Sequence, residues 1–177
     1  MATMDEGVTI RPLKVEDAAA MVGVLGSTEL YRYIGGEPPT QEQLSKLYAR
    51  QTVGLSPDGS QQWLNWVVLD EGGTPVGYVQ ASRPLHVTTA EIAWVIGVPW
   101  QGRGYATRAV ALMLEELASQ GVDEVVADIH PANTASEGVA RRVGMVATDQ
   151  VIDGETRWTG RTHEQCPPLL LSLIHIS

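Results

Sequence analysis

The run Val98-Pro99-Trp100-Gln101-Gly102-Arg103-Gly104-Tyr105-Ala106-Thr107 decides how the chain is read. An apolar strand ends, a glycine-rich turn follows, and a helix begins. Glycines let the backbone approach a ligand closely and adopt positive φ. The unpaired amides and positive dipole of a helix start favour an anion, and a pyrophosphate is the natural guest. A Walker loop needs Gly-Lys-Ser/Thr after its second glycine, which is missing. A dinucleotide fingerprint needs three glycines on G-x-G-x-x-G spacing, and only Gly102 and Gly104 fit. Taken alone, the run also reads as a tight strand-to-helix connection.

Upstream, Ala90–Val98 alternates as a strand. Its parity puts Glu91, Ala93, Val95 and Gly97 on one face and Ile92, Trp94, Ile96 and Val98 on the other. Trp63–Leu69 and Pro75–Ala81 read as strands of a hairpin joined by Asp70-Glu71-Gly72-Gly73. Val8–Leu13 predicts a first strand. Val15-Glu16-Asp17 predicts the acidic first turn of a helix over Ala18–Val24. A second helix is expected over Gln41–Gln51, with Thr40 as its N-cap. Downstream, Gly104–Ser119 carries an apolar stripe at Ala106, Val110, Met113, Leu114 and Leu117. A buried strand (Val125–Ile129), a short helix (Thr134–Val143) and a closing hairpin (Val146–Ile152, Glu155–Trp158) follow. The expected fold is α/β of the α+β type: a mixed, mainly antiparallel central sheet flanked by helices.

The 177 residues suit one domain, placed at 1–160, with 161–177 a doubtful tail. Its end, Leu171-Ser172-Leu173-Ile174-His175-Ile176-Ser177, resembles a translated sequencing-library adapter, so 171–177 is expected to be foreign. A genuine apolar strand is the alternative. The formal net charge of −9 and the lack of a basic stripe argue against a nucleic-acid partner. An acidic surface aids solubility and can attract a cation. A single cysteine excludes an internal disulfide, and the four histidines lack zinc-motif spacing, so no metal is expected. The acidic N-terminus does not read as a signal peptide, and no apolar run spans a bilayer. A cytoplasmic monomer or homodimer, with no membrane partner, is expected.

Two stretches together carry a resemblance. Gln101-x-x-Gly104-x-Ala106, after Glu91-Ile92-Ala93-Trp94-Val95-Ile96, resembles the acetyl-CoA motif of the GNAT superfamily of N-acetyltransferases. Pro131-Ala132-Asn133-Thr134-Ala135-Ser136, followed by Val139-Ala140-Arg141-Arg142-Val143-Gly144, resembles its second cofactor motif. The Asn-x-x-Ser form resembles the RimJ/RimL-like branch. The resemblance implies two splayed central strands, Ala90–Val98 and Val125–Ile129, that admit a thioester.

It also implies roles. Acetyl-CoA would be the acyl donor, with no metal. The segment from Gly102, Arg103 and Gly104 through Tyr105, Ala106 and Thr107 would hold its pyrophosphate, framed by Gln101. The backbone of Ile96, Gly97 and Val98 would pair with the pantetheine arm, and Asn133 would also hold it. The Arg103 side chain would add charge or lie solvated at the surface. Glu91 would take a proton from the attacking amine; an edge-facing carboxylate is the other reading. Relatives protonate the leaving sulfur with a tyrosine that here is Ala140, so Ser136 replaces it as candidate, against a purely capping role. His130 would be a second base or a positioning group. Tyr31, with its neighbours in the segment Ser27–Tyr33, and Trp63, Trp66 and His130 would line the acceptor site for a peptide N-terminus or small-molecule amine; Trp63 and Trp66 also read as core or wall residues. A non-catalytic acyl-CoA-binding regulatory module is the rival, favoured by the missing tyrosine.

Overall fold

Strand alternation sorts the side chains onto two faces, and each face recruits its own helices. The computed structural model describes residues 7–163. Its elements are β1 (Thr9–Pro12), α1 (Ala18–Val24), α2 (Gln41–Gln51), β2 (Gln61–Leu69), β3 (Pro75–Pro84), β4 (Thr89–Ile96), α3 (Tyr105–Ser119), β5 (Glu124–Ile129), α4 (Thr134–Arg142), β6 (Val146–Ile152) and β7 (Glu155–Arg161). Short 3-10 turns occupy Val15–Asp17, Thr28–Tyr31 and Val98–Trp100. One seven-stranded sheet has the order β1-β2-β3-β4-β5-β7-β6. Every neighbouring pair is antiparallel except β4 and β5.

On one face Val68, Ile92, Ile96, Val125, Ala127 and Trp158 pack with Val110, Met113 and Leu117 of α3. On the other, Val67, Tyr78 and Val95 pack with Met21 of α1 and Leu44 and Tyr48 of α2. The opposite facing of Ile92 and Val95 is the parity expected of β4. Met113 and Leu117 are fully buried. Burial of such side chains contributes about 1.5–3 kcal/mol each, which anchors α3 and fixes its N-terminus in place. Thr40 caps α2 reciprocally: Gln43 N donates to Thr40 Oγ1 at 3.1 Å, and Thr40 N to Gln43 Oε1 at 2.9 Å.

Four expectations change. Asp17 is not an exposed first-turn acid: it is buried, receives both Arg11 Nη groups at 2.7 and 2.9 Å and the Lys14 amide at 2.7 Å. β4 stops at Ile96 rather than Val98, because Pro99 sits inside the 3-10 turn Val98–Trp100. Gly104 is the N-cap of α3 and not its first residue. β7 runs on to Arg161, and Thr162 is buried with its hydroxyl donating to Val122 O at 2.6 Å. The adapter-like residues 171–177, with Cys166, lie outside the described residues.

Candidate active site

The one parallel pair in the sheet is short. β4 and β5 meet only at Thr89↔Glu124, Ala90↔Val125 and Glu91↔Val126. Beyond Glu91, β4 stays with β3 as far as Ile96↔Gly77, while β5 stays with β7 as far as Ile129↔Thr156. Each strand follows its other neighbour, so a fork opens toward their C-terminal ends. Gly97 N donates to Val76 O at 2.8 Å. Antiparallel alternation then turns the backbone groups of Ile92, Trp94 and Ile96 away from β3, into the fork. Unpaired strand edges of this kind call for a partner. Ile96 to Glu91 spans about 16 Å at roughly 3.3 Å per residue, the scale of an extended pantetheine arm.

At the fork's open end stands the glycine turn. Gly102 and Gly104 have φ of 79° and 85°, a left-handed conformation that side chains with a Cβ rarely adopt. No side chain caps α3, and the first donation into it is from Arg108 N to Gly104 O at 3.1 Å. The amides from Gly102 to Thr107 therefore lack an acceptor among the described residues. Gln101 Nε2 donates to Ile96 O at 2.8 Å and pins the turn to the end of β4. That bond and the one from Gly97 to Val76 already engage the strand end, which narrows the expected pairing over Ile96, Gly97 and Val98. A Cβ at Gly97 would lie 2.8 Å from the Trp100 ring and 2.9 Å from Val24 O, so only glycine fits beneath that ring. The Tyr105 side chain turns inward, is buried, and approaches Glu71 Oε1 at 3.4 Å. Arg103 is exposed, whereas Arg108 lies over the turn, its Nη2 3.5 Å from where a Gly104 Cβ would stand. Sequence reading missed Arg108, although residue i+4 on a helix leans back over the preceding turn.

On the α2 side, a cleft of about 430 Å³ is lined by Glu91, Trp63, Asn65, Gln80 and Ser82 from the sheet and by Arg50 from α2. Glu91 pairs with Ser82, and Ser82 with Trp63, so these form one row across three strands at the closed end of the fork. Trp66 is corrected: it is 6% exposed and packs under α3. An odd spacing from Trp63 puts it on the opposite face. Tyr31 is half-buried and donates its hydroxyl to Leu25 O at 2.9 Å; burial raises its pKa.

His130 follows Ile129, the last residue of β5, and is not among the residues that line that cleft. Its Nδ1 accepts from Ala132 N at 3.0 Å, which puts the proton of the neutral ring on Nε2. Held so, the ring presents a donor and suits positioning better than proton abstraction. Tyr33 lies against it with ring centroids 5.1 Å apart, a contact that sequence gave no sign of. Nearby, Arg157 binds Asp128 through two bonds of 2.8 Å. Glu155 has a raised pKa, chiefly from burial and then from the Asp128 charge, with His130 opposing.

On the α3 side, Asn133 caps α4: its Oδ1 accepts from Ser136 N at 3.2 Å. The Ser136 hydroxyl makes no hydrogen bond among the described residues, and the residue is half-buried. Ala140 is fully buried in the core. Trp94 has a buried indole N–H without an acceptor, another feature sequence did not reveal. Among the described residues no group of His, Cys, Asp and Glu is placed to hold a metal, and no helix is long and apolar enough to cross a membrane.

The model of the acetyltransferase (GNAT) domain matches residues 8–146, which include the fork, the turn and Ser136. The chain belongs to the GNAT acetyltransferase family. The uncharacterized N-acetyltransferase YnaD of Bacillus subtilis (strain 168) is 24% identical over 137 residues, 77% of each chain. Among solved structures, Mycobacterium smegmatis RimJ in complex with CoA-disulfide superposes with TM-score 0.72 at 19% identity, covering 87% of this chain and 81% of that one. The Vibrio cholerae spermidine N-acetyltransferase in complex with CoA and spermine gives 0.72 at 18%, covering 89% and 97%. These likenesses share the GNAT fold, with the mainly antiparallel sheet and flanking helices seen here. The GNAT family assignment makes this chain an N-acetyltransferase by family.

Proposed function

We propose that this GNAT enzyme transfers an acetyl group from acetyl-CoA to a primary amine, on a small molecule or a peptide N-terminus, by direct attack on the thioester. The observation that supports this best is the fork between β4 and β5. Acceptor-free amides from Gly102 to Thr107 lie at its open end, and Glu91 lies at its closed end. Acetyl-CoA supplies an activated acetyl group, whose carbon–sulfur bond breaks as a carbon–nitrogen bond forms.

The chain's own groups divide the work. The amides of the turn, with Arg108 and Arg103, hold the pyrophosphate by charge-assisted bonds. The fork edges of β4 hold the arm, and Asn133 orders the loop beside it. Glu91, on the α2 face, accepts a proton from the incoming amine, which must lose it to become nucleophilic. Ser136, on the α3 face, gives a proton to the departing sulfur and regains it from solvent. The sheet thus separates base from acid, one on each side of the fork. Trp63 walls the acceptor and His130 orients it. The structures bound to CoA among the GNAT neighbours agree with this donor, and the compartment proposed is the cytoplasm.

The test is a panel of amines incubated with acetyl-CoA, followed by free-thiol release and mass spectrometry. Acetylated product with matching thiol is expected, together with a raised melting temperature in acetyl-CoA but not in ATP or NAD. Saturating ligand at a hundredfold over Kd stabilises by about 2.7 kcal/mol. Equal stabilisation by ATP and none by coenzyme A would overturn the donor assignment.

A further inference from the structure

We infer that the acceptor carries an anionic group, a carboxylate, as well as its amine: an amino acid or short peptide held as a zwitterion between Glu91 and Arg50. This rests on the acetyl-transfer reading and names the substrate class within it. The cleft on the α2 side has two charged side chains in its lining, and they have opposite signs. Glu91 is on the floor, at the last rung before the fork opens. Arg50 comes from the last turn of α2, one turn after Leu47, which lines the same cleft. Neither side chain is engaged by a hydrogen bond or ion pair among the described residues. In a chain of net charge −9, an arginine left free of every carboxylate and directed to a cleft is available for an external anion.

The rest of the lining fits the same ligand. Asn65 and Gln80 line the same cleft and offer uncharged donors and acceptors, as a peptide-like backbone requires, while the Ser82 hydroxyl already donates to Gln61 Oε1 at 3.2 Å and keeps only its acceptor capacity. The volume, about 430 Å³, suits a small molecule or the first residues of a peptide. An arginine at this wall also acts against the alternative. A polyamine would bring a second cation toward Arg50 with no carboxylate beside it, and discrimination by an unfavourable charge is a common source of specificity. The reaction is unchanged: the amine attacks the thioester carbonyl, the carbon–sulfur bond breaks, Glu91 receives the amine proton, and the acceptor's carboxylate takes no part in bond making.

The test uses the full chain, acetyl-CoA, and matched acceptors: amino acids and dipeptides as free acids and as methyl esters, plus spermidine. Free acids should be acetylated with kcat/KM about tenfold to a hundredfold above their esters, since one charge-assisted contact separates the members of a pair. Arg50→Gln should collapse that ratio toward one, chiefly through KM, and Arg50→Lys should restore part of it. A purely structural Arg50 would lower the melting temperature and leave the ratio standing, which would overturn the inference. So would esters or spermidine reacting as fast as the acids, or an enzyme that binds acetyl-CoA by calorimetry and acetylates none of the acids. Failure to bind acetyl-CoA at all would overturn the acetyl-transfer reading and this inference with it.

Discussion

On the α3 side of the sheet the working parts are neighbours in sequence, whereas on the α2 side they are gathered from distant elements. Gln101, Gly102, Gly104 and Arg108 fall within one turn and the first turns of one helix. The cleft opposite draws on α2, β2, β3 and β4. The chemistry differs in the same way. A phosphate site made of backbone amides tolerates most side chains but fixes glycine positions. An acceptor cleft made of side chains fixes nothing in the backbone and can vary residue by residue. On the proposed reading, the cofactor side announces a family, and the acceptor side carries the individuality of one enzyme.

This contrast breaks most visibly at Gly104. Gly104→Val forces a β-branched residue to a φ of 85° and places its methyls beside Arg108, where the proposed pyrophosphate would sit. Losing two charge-assisted bonds at about 2 kcal/mol each predicts roughly a thousandfold weaker acetyl-CoA binding. Calorimetry reads that, with circular dichroism to confirm the fold. Binding within about threefold of wild type would put the phosphate site elsewhere. Glu91→Gln is the counterpart on the other face. Proton abstraction contributes about a hundredfold or more to such reactions. The variant should therefore lose about that much kcat while acetyl-CoA binds unchanged. Its residual rate should climb with pH as the free-amine fraction grows; a parallel loss of binding would place Glu91 at the cofactor instead.

The same contrast explains what could be read before the fold was known. The turn was legible because its three requirements, positive φ, free amides and a helix start, act between consecutive residues. The parity of β4 was legible because alternation is local, and it separated Glu91 from Ile92 correctly. Trp66 reads from sequence either as acceptor lining or as core, and alternation decides for the core: it sits three residues from Trp63 and must face the other way. Arg50, and the partners of Tyr33 and Asp17, were invisible for another reason. Arg50 and Glu91 come to line one cleft only once α2 packs over the sheet, Tyr33 meets His130 only when the segment after α1 crosses the end of β5, and Asp17 reads as an ordinary first-turn acid until Arg11 is beside it. No periodicity encodes such meetings.

Asp17 offers a test of how the α2 side is held together. Burial opposes its charge, but the Arg11 bonds, the Lys14 amide and the neighbouring cations overcome this, and its pKa is lowered. A carboxyl depressed in the folded state adds stability that is complete above its unfolded pKa of about 3.9 and is lost as pH falls through the folded value. Asp17→Asn should cost roughly 2 kcal/mol at neutral pH, less than a fully buried pair because a third of the Arg11 side chain is exposed. At about 2–4 °C per kcal/mol for a chain of this size, the melting temperature should fall by about 4–8 °C. The gap between wild type and variant should narrow below pH 4; a gap that stayed constant down to pH 2 would mean that the charge of Asp17 contributes nothing.

The smallest effect separates two indoles that look alike. Trp94 and Trp158 each bury an N–H with no acceptor. An orphaned donor costs about 1–3 kcal/mol, and folded proteins leave few of them unpaired. Trp94 belongs to the stretch of β4 that borders the fork, where a bound arm would bring amide carbonyls within reach. Trp158 lies on β7, beyond β5 from the fork, with Arg141 over its ring at 5.3 Å. If the fork holds the arm, only the first indole gains a partner on binding. Trp94→Phe keeps an aromatic ring and deletes the donor, so the net worth of one hydrogen bond, about 1 kcal/mol, should appear as roughly fivefold weaker acetyl-CoA binding. Trp158→Phe should leave that affinity within error while changing stability by a similar or larger amount, because its effect is on packing alone. Equal affinities for the two variants would mean that the Trp94 indole stays unpaired in the complex, and that the arm lies along the backbone of β4 without reaching the side chain behind it.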